Sequence, residues 1–134
     1  MKKKKQIAIV VAEFHKEIAD TMVAEAERTA HDLGARVHAI IGVPGCFEMP
    51  LSVKRLIQKK SVDAVVVLGF IEKGETLHGE VMGHVVHHAL MQLQLSTMKP
   101  IGFGIIGPGA TERAARVRMK GAARAAVRAA LSQA

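Results

Sequence analysis

The segment Gly74-Glu75-Thr76-Leu77-His78 sets a bare backbone, a carboxylate, a hydroxyl and an imidazole close together, two residues after the apolar run AVVVLGFI at 64–71. Glycines at 69 and 74 allow backbone N–H groups to close on a ligand, and such groups at the start of a helix favour anions, phosphate above all. An ordinary turn with Thr76 as helix N-cap is the competing reading. His78 falls in the first helical turn, where the positive end of the helix disfavours imidazolium. A neutral ring that exchanges protons near neutral pH is one reading, and a surface histidine the other.

Glu48 follows the Pro44-Gly45 turn and precedes Pro50. Its carboxylate could accept hydrogen bonds from the hydroxyls of a polyol, or simply complement a helix dipole. Phe14 and Phe47 fall at the ends of apolar runs, and Phe103 lies within one. An aromatic ring just past a strand end can stack on a flat heterocycle, although core packing is the commoner use of phenylalanine. His84 and His88 stand one helical turn apart, a spacing that can hold a metal if a third ligand arrives. With no HExxH pattern, no cysteine pair and Val81 and Val85 on the same stripe, the reading preferred here is a packed or interface pair and no metal site.

Four apolar, β-branched runs must carry these groups. Strands are expected at 6–14, 36–43, 63–71 and 101–106. Between them fall a helix at 17–33 stopped by Gly34, a short helix from 49 with Pro50 in its first turn, and a helix at 78–96; another follows at 110–132. The βαβαβαβα order predicts one domain over residues 1–134, a three-layer α/β/α sandwich with a four-stranded parallel sheet. Ligands of such sheets bind at the carboxyl ends of the strands. Residues 13–15, 44–48, 69–78 and 107–109 should therefore gather at one edge.

On the last helix, at about 100° per residue, Arg113, Arg116, Lys120, Arg124 and Arg128 form one stripe, expected to be solvated. Arg118 falls on the opposite face with Ala114, Ala122, Ala125 and Ala129, where a guanidinium needs an anionic partner. That makes it a candidate phosphate ligand, in its own chain or a neighbour's.

The chain has 134 residues, 49% hydrophobic but only 3% aromatic, so a core of aliphatic side chains and methionine is expected. A single cysteine, Cys46, excludes an internal disulfide and is compatible with a reducing compartment, so cytoplasm is the expectation. No apolar run reaches the length of a membrane span, and the apolar stretch after the N-terminal lysines is too short for a signal-peptide core. The formal charge of +7 is concentrated in the lysines at 2–5 and in the last helix. Neither interleaved aromatics nor a helix-turn-helix or zinc-knuckle pattern accompanies it, so nucleic acid is not the expected partner.

FHKEI (14–18), VPGCFEMP (43–50), LGFIEKGETLH (68–78), KPIGFGIIGPG (99–109) and the final helix with Arg118 resemble, in order and spacing, the 6,7-dimethyl-8-ribityllumazine synthase family, in its short archaeal-like form. The resemblance implies a flavodoxin-like fold and a condensation without cofactor or metal in riboflavin biosynthesis. It joins 5-amino-6-ribitylaminouracil to 3,4-dihydroxy-2-butanone 4-phosphate. By position it implies that Phe14 stacks on the pyrimidine, that Cys46, Phe47 and Glu48 border the ribityl chain, and that Gly74, Glu75 and Thr76 line the phosphate and ketone pocket. His78 would move protons. Phe103 and Arg118 match residues lent by a neighbouring subunit, so a homo-oligomer is implied, a pentamer or an icosahedral shell of twelve. The sequence departs from the family's pattern at Cys46, where Ser or Ala is common, and at His15, where Asn is frequent. It also has Gly-Pro-Gly at 107–109, which leaves Arg116 as an alternative to Arg118. A related riboflavin synthase, a non-catalytic flavin-binding module and a basic DNA-coating protein are the rival readings.

Overall fold

A computed structural model describes residues 3–134, so Lys2 of the basic run lies outside the described residues. The elements follow in the order β1 (Gln6–Ala12), α1 (Lys16–Asp32), β2 (Arg36–Val43), a 3-10 turn (Cys46–Glu48), α2 (Met49–Ile57), β3 (Ala64–Glu72), α3 (His78–Thr97), β4 (Ile101–Ala110) and α4 (Glu112–Gln133). The four strands form one parallel sheet in the order β2-β1-β3-β4. This is the flavodoxin-like, three-layer architecture expected from the sequence.

Both central strands are apolar on both faces, which is why their sequences show no alternation. Ile7, Ile9 and Val11 of β1 join Val66, Leu68 and Phe70 of β3 under α1 and α4. Their neighbours Ala8, Val10 and Ala12 join Val65 and Val67 under α2 and α3. Nearly all of these side chains are inaccessible. Each fully buried valine, isoleucine or leucine contributes about 1.5–3 kcal/mol of transfer free energy.

Three close approaches bring the helices onto β4. A Cβ on Gly102 would run into the Ala126 carbonyl, and one on Gly104 would stand 3.1 Å from the Ala126 Cβ. Glycine on the strand and alanine on α4 let helix and sheet touch. On the other face, a Cβ on Gly83 of α3 would come within 2.7 Å of the Pro108 ring.

Three expectations are corrected. β4 does not end at residue 106; it continues through Gly107-Pro108-Gly109 to Ala110, which pairs with Glu72 after a register shift. Gly107 and Gly109 adopt positive φ, 94° and 91°, a region glycine enters without steric cost. The face of α4 that packs on the sheet is Ala115, Ala123, Ala126, Val127 and Ala130. The Arg118 face is the flank beside it, and Arg118, Ala125 and Ala129 are exposed. Alanine stands on both faces, so its periodicity could not tell the packed one from the bare one. The cationic stripe is also not wholly solvated: Arg116 and Arg124 reach across to Glu17 and Glu25 of α1, at 3.1 and 2.9 Å.

Candidate active site

The chain leaves β1 toward β2 and leaves β3 toward β4, so the connections diverge between the two central strands. Such a switch point is where open α/β sheets hold ligands. A cavity of about 360 Å³ opens there. Phe14 and Ala12 come to it from the end of β1, and Gly45 and Cys46 from the turn before α2. Glu72, Lys73, Gly74 and Thr76 enter from the end of β3, and His78 and Met82 from α3.

Local chemistry places each group. Phe14 is 69% exposed, its ring supported edge-on by His15 at 4.8 Å and 88°. Phe47 stands on the 3-10 turn with its ring 6.0 Å from His78 at 68°. Thr76 lies two residues before His78, and its Oγ1 accepts the His78 N–H at 3.3 Å. The N-cap of α3 is nevertheless Leu77, without a side-chain cap, so the expectation of Thr76 as N-cap is corrected by one residue. Gly74, Glu75 and Thr76 also border an adjoining depression whose far side is Gly109. Glu48 turns back on its own loop, where Oε1 accepts the Gly45 N–H at 2.9 Å. Cys46 is buried, and desolvation, with the nearby Glu48 charge, pushes its thiol up to about 11. A thiol so raised is a packing group and no nucleophile at neutral pH.

Five of the expected residues, Phe14, Cys46, Gly74, Thr76 and His78, share the cavity; Glu75, Phe47 and Glu48 stand around it. Two lie apart within the chain. Phe103 sits midway along β4, its ring stacked on His87 at 5.8 Å and 24°. Arg118 borders a separate depression with Gly107, Pro108, Thr111 and Ala114. Arg116 is already taken, its guanidinium donating to Glu112 and Glu17, both at 3.1 Å, whereas Arg118 has no ion pair among the described residues.

Lys73 and Glu72, within the 69–78 segment expected at this edge but given no role there, also face the cavity. The signal was present, since Lys73 is the sole lysine or arginine between residues 60 and 99. His84 and His88 are exposed, while His87 turns inward, its Nδ1 2.7 Å from the Gly83 carbonyl. Among the described residues one cluster has metal-ligand spacing, His15 with Glu72 and Glu112, and no third ligand reaches the His84 and His88 pair.

A switch-point cavity with an aromatic wall, a glycine- and threonine-bearing loop and a histidine at a helix start defines a small-molecule-binding flavodoxin-like protein. The family model described as 6,7-dimethyl-8-ribityllumazine synthase matches residues 4–134. Three similar proteins carry that description. One from Metallosphaera sedula is 44% identical over 115 residues, covering 86% of this chain and 76% of its own. One from Saccharolobus islandicus is 42% identical over 126 residues, 94% of this chain and 82% of its own. One from Pyrobaculum arsenaticum is 39% identical over 126 residues, 94% and 84%. The chain belongs to the 6,7-dimethyl-8-ribityllumazine synthase family.

Proposed function

We propose that this protein is a transferase of riboflavin biosynthesis: it condenses 5-amino-6-(D-ribitylamino)uracil with 3,4-dihydroxy-2-butanone 4-phosphate to 6,7-dimethyl-8-ribityllumazine and releases phosphate. The carrying observation is that one cavity holds Phe14, Thr76 and His78 together in a chain of this family. Phe14 offers a face to the flat pyrimidine. Phe47 and Glu48 would border the ribityl chain, with Cys46 in the cavity lining. Gly74, Glu75 and Thr76 offer backbone N–H groups and a hydroxyl to the phosphate. The primary amine attacks the ketone, a Schiff base forms, phosphate is eliminated and the ring closes. His78 moves protons in these steps, and much of the acceleration comes from holding two substrates in reacting position.

The working form is a homo-oligomer with sites shared between subunits, a pentamer or an icosahedral shell of pentamers, in the cytoplasm. Phe103 and Arg118 support this, because each is on the β4 side of the chain and away from the cavity it is expected to serve. Val81, Val85 and Leu95 along α3 and Ile40 and Ile41 on the edge strand β2 are exposed apolar groups that a neighbour would cover. No helix among the described residues is long and apolar enough to cross a membrane.

Mixing the two substrates with the protein and following the lumazine chromophore tests the activity. Formation at only the uncatalysed rate would leave a binding module.

A further inference from the structure

His15 stands behind the cavity wall and does not line it. Its ring packs against Phe70 at 4.8 Å and 41°, and both of its nitrogens face acids. Nε2 lies 3.0 Å from Glu72 Oε1, and Nδ1 lies 3.8 Å from Glu112 Oε1. A carboxylate only accepts, so the 3.0 Å contact is made by the ring's Nε2–H donating to Glu72, while Glu112 lies beyond hydrogen-bond distance of Nδ1. Glu112 is held in turn by Arg116, which reaches Glu17. A row of polar contacts thus runs from the end of β3, past His15, to the first turns of α4 and α1.

Glu72 is the member with a consequence for the site. It ends β3, and it borders both the cavity and the depression formed by Gly74, Glu75 and Thr76. A free carboxylate at that rim would oppose a phosphate ester. Hydrogen-bonded to His15, the same carboxylate has one oxygen engaged by the ring. A divalent cation fits the cluster less well. Although the three ligand atoms lie within 4.8 Å of one another, the two carboxylates approach opposite nitrogens of one ring, and Arg116 already shares Glu112.

We propose that His15 is a positioning residue that clamps Glu72 and so lets an acid stand at the rim of an anion site. The proposal rests on the reading of residues 74–76 as the phosphate loop. Its test compares wild type, His15→Ala, Glu72→Gln and the double variant. In each, the KM for both substrates and kcat are measured, with inorganic phosphate as competitive inhibitor. His15→Ala is expected to raise the KM for the butanone phosphate and the inhibition constant of phosphate by about tenfold, the equivalent of one pK unit of interaction. It should change kcat and the KM for the pyrimidine less. Adding Glu72→Gln should return both constants toward wild type, because the offending charge is gone.

A double variant as impaired as His15→Ala would overturn the clamp. So would a rise confined to the pyrimidine KM, which would make His15 a mere prop for Phe14. Wild-type constants that change on adding zinc or a chelator would replace the clamp with a metal site. Absence of competition by phosphate in wild type would sink the phosphate-loop reading and the clamp with it, whereas competition that His15→Ala leaves unchanged would sink the clamp alone.

Discussion

Arg118→Ala separates the chemistry of the oligomer from the stability of the chain. The guanidinium is exposed and has no ion pair among the described residues, so its loss should leave thermal stability within about 0.5 kcal/mol of wild type, as for ordinary surface changes. Its expected partner is a phosphate on a neighbouring chain's loop. A hydrogen bond to a charged group is worth about 1.5–3 kcal/mol. At about 1.36 kcal/mol per decade, the KM for the butanone phosphate should rise roughly tenfold to 150-fold. The assay is the initial rate of lumazine formation at saturating pyrimidine, with the butanone phosphate varied. Mixing gives the sharper result. If Arg118→Ala chains are co-assembled at equal ratio with His78→Ala chains, a site is intact when its loop comes from an Arg118→Ala chain and its arginine from a His78→Ala chain. Random assembly makes about a quarter of the sites wild type. Activity no greater than the sum of the two single variants, in assemblies shown to be mixed, would refute the shared site and return Arg118 to its own chain.

His78→Ala should lower kcat about tenfold to a hundredfold with little change in either KM, and full retained kcat would return the histidine to a structural role. Glu48→Gln should weaken binding of the pyrimidine substrate or a ribityl-bearing product analogue while sparing the butanone phosphate. Equal losses at both, measured as KM, would point to damage in the 3-10 turn, whose Gly45 N–H this side chain also holds. Gly102→Ala drives a methyl into the Ala126 carbonyl and should cost about 1–3 kcal/mol in chemical denaturation, the usual cost of overpacking; a negligible cost would show that α4 can lift from the sheet. Glu25 is buried, and the hydrogen bond from Arg124, with Arg28 beside it, holds its carboxyl below the ordinary value of 4.5. Its stabilisation is complete above that ordinary value and is lost as pH falls through the lower folded one. Melting temperature should therefore fall on acidification less steeply in Glu25→Gln than in wild type, and identical slopes would refute the coupling.

Most of the site was legible because parallel α/β topology sends every strand end to one edge. The order of apolar runs was enough to bring Phe14, Cys46, Gly74, Thr76 and His78 together before any contact was known. Glu72 was harder to read, since it looks like the polar stop of a strand. Its part in the site depends on His15, which lies 57 residues away in the chain and 3.0 Å away in space. Arg124 and Glu25 are alike in this respect, separated by 99 residues and invisible to any local pattern.

The sequence alone determined the element order, the parallel sheet, the edge where the cavity opens and the family, because hydrophobic period, glycine and proline punctuation and motif spacing act locally along the chain. The tertiary structure decided which alanine face of α4 packs, that β4 runs on through Gly107-Pro108-Gly109, and that Arg116 is spent on Glu112 and Glu17 while Arg118 has no ion pair among the described residues. Those outcomes turn on which side chains distant segments bring within a few ångströms of one another, and periodicity within one helix or strand carries no record of its neighbours.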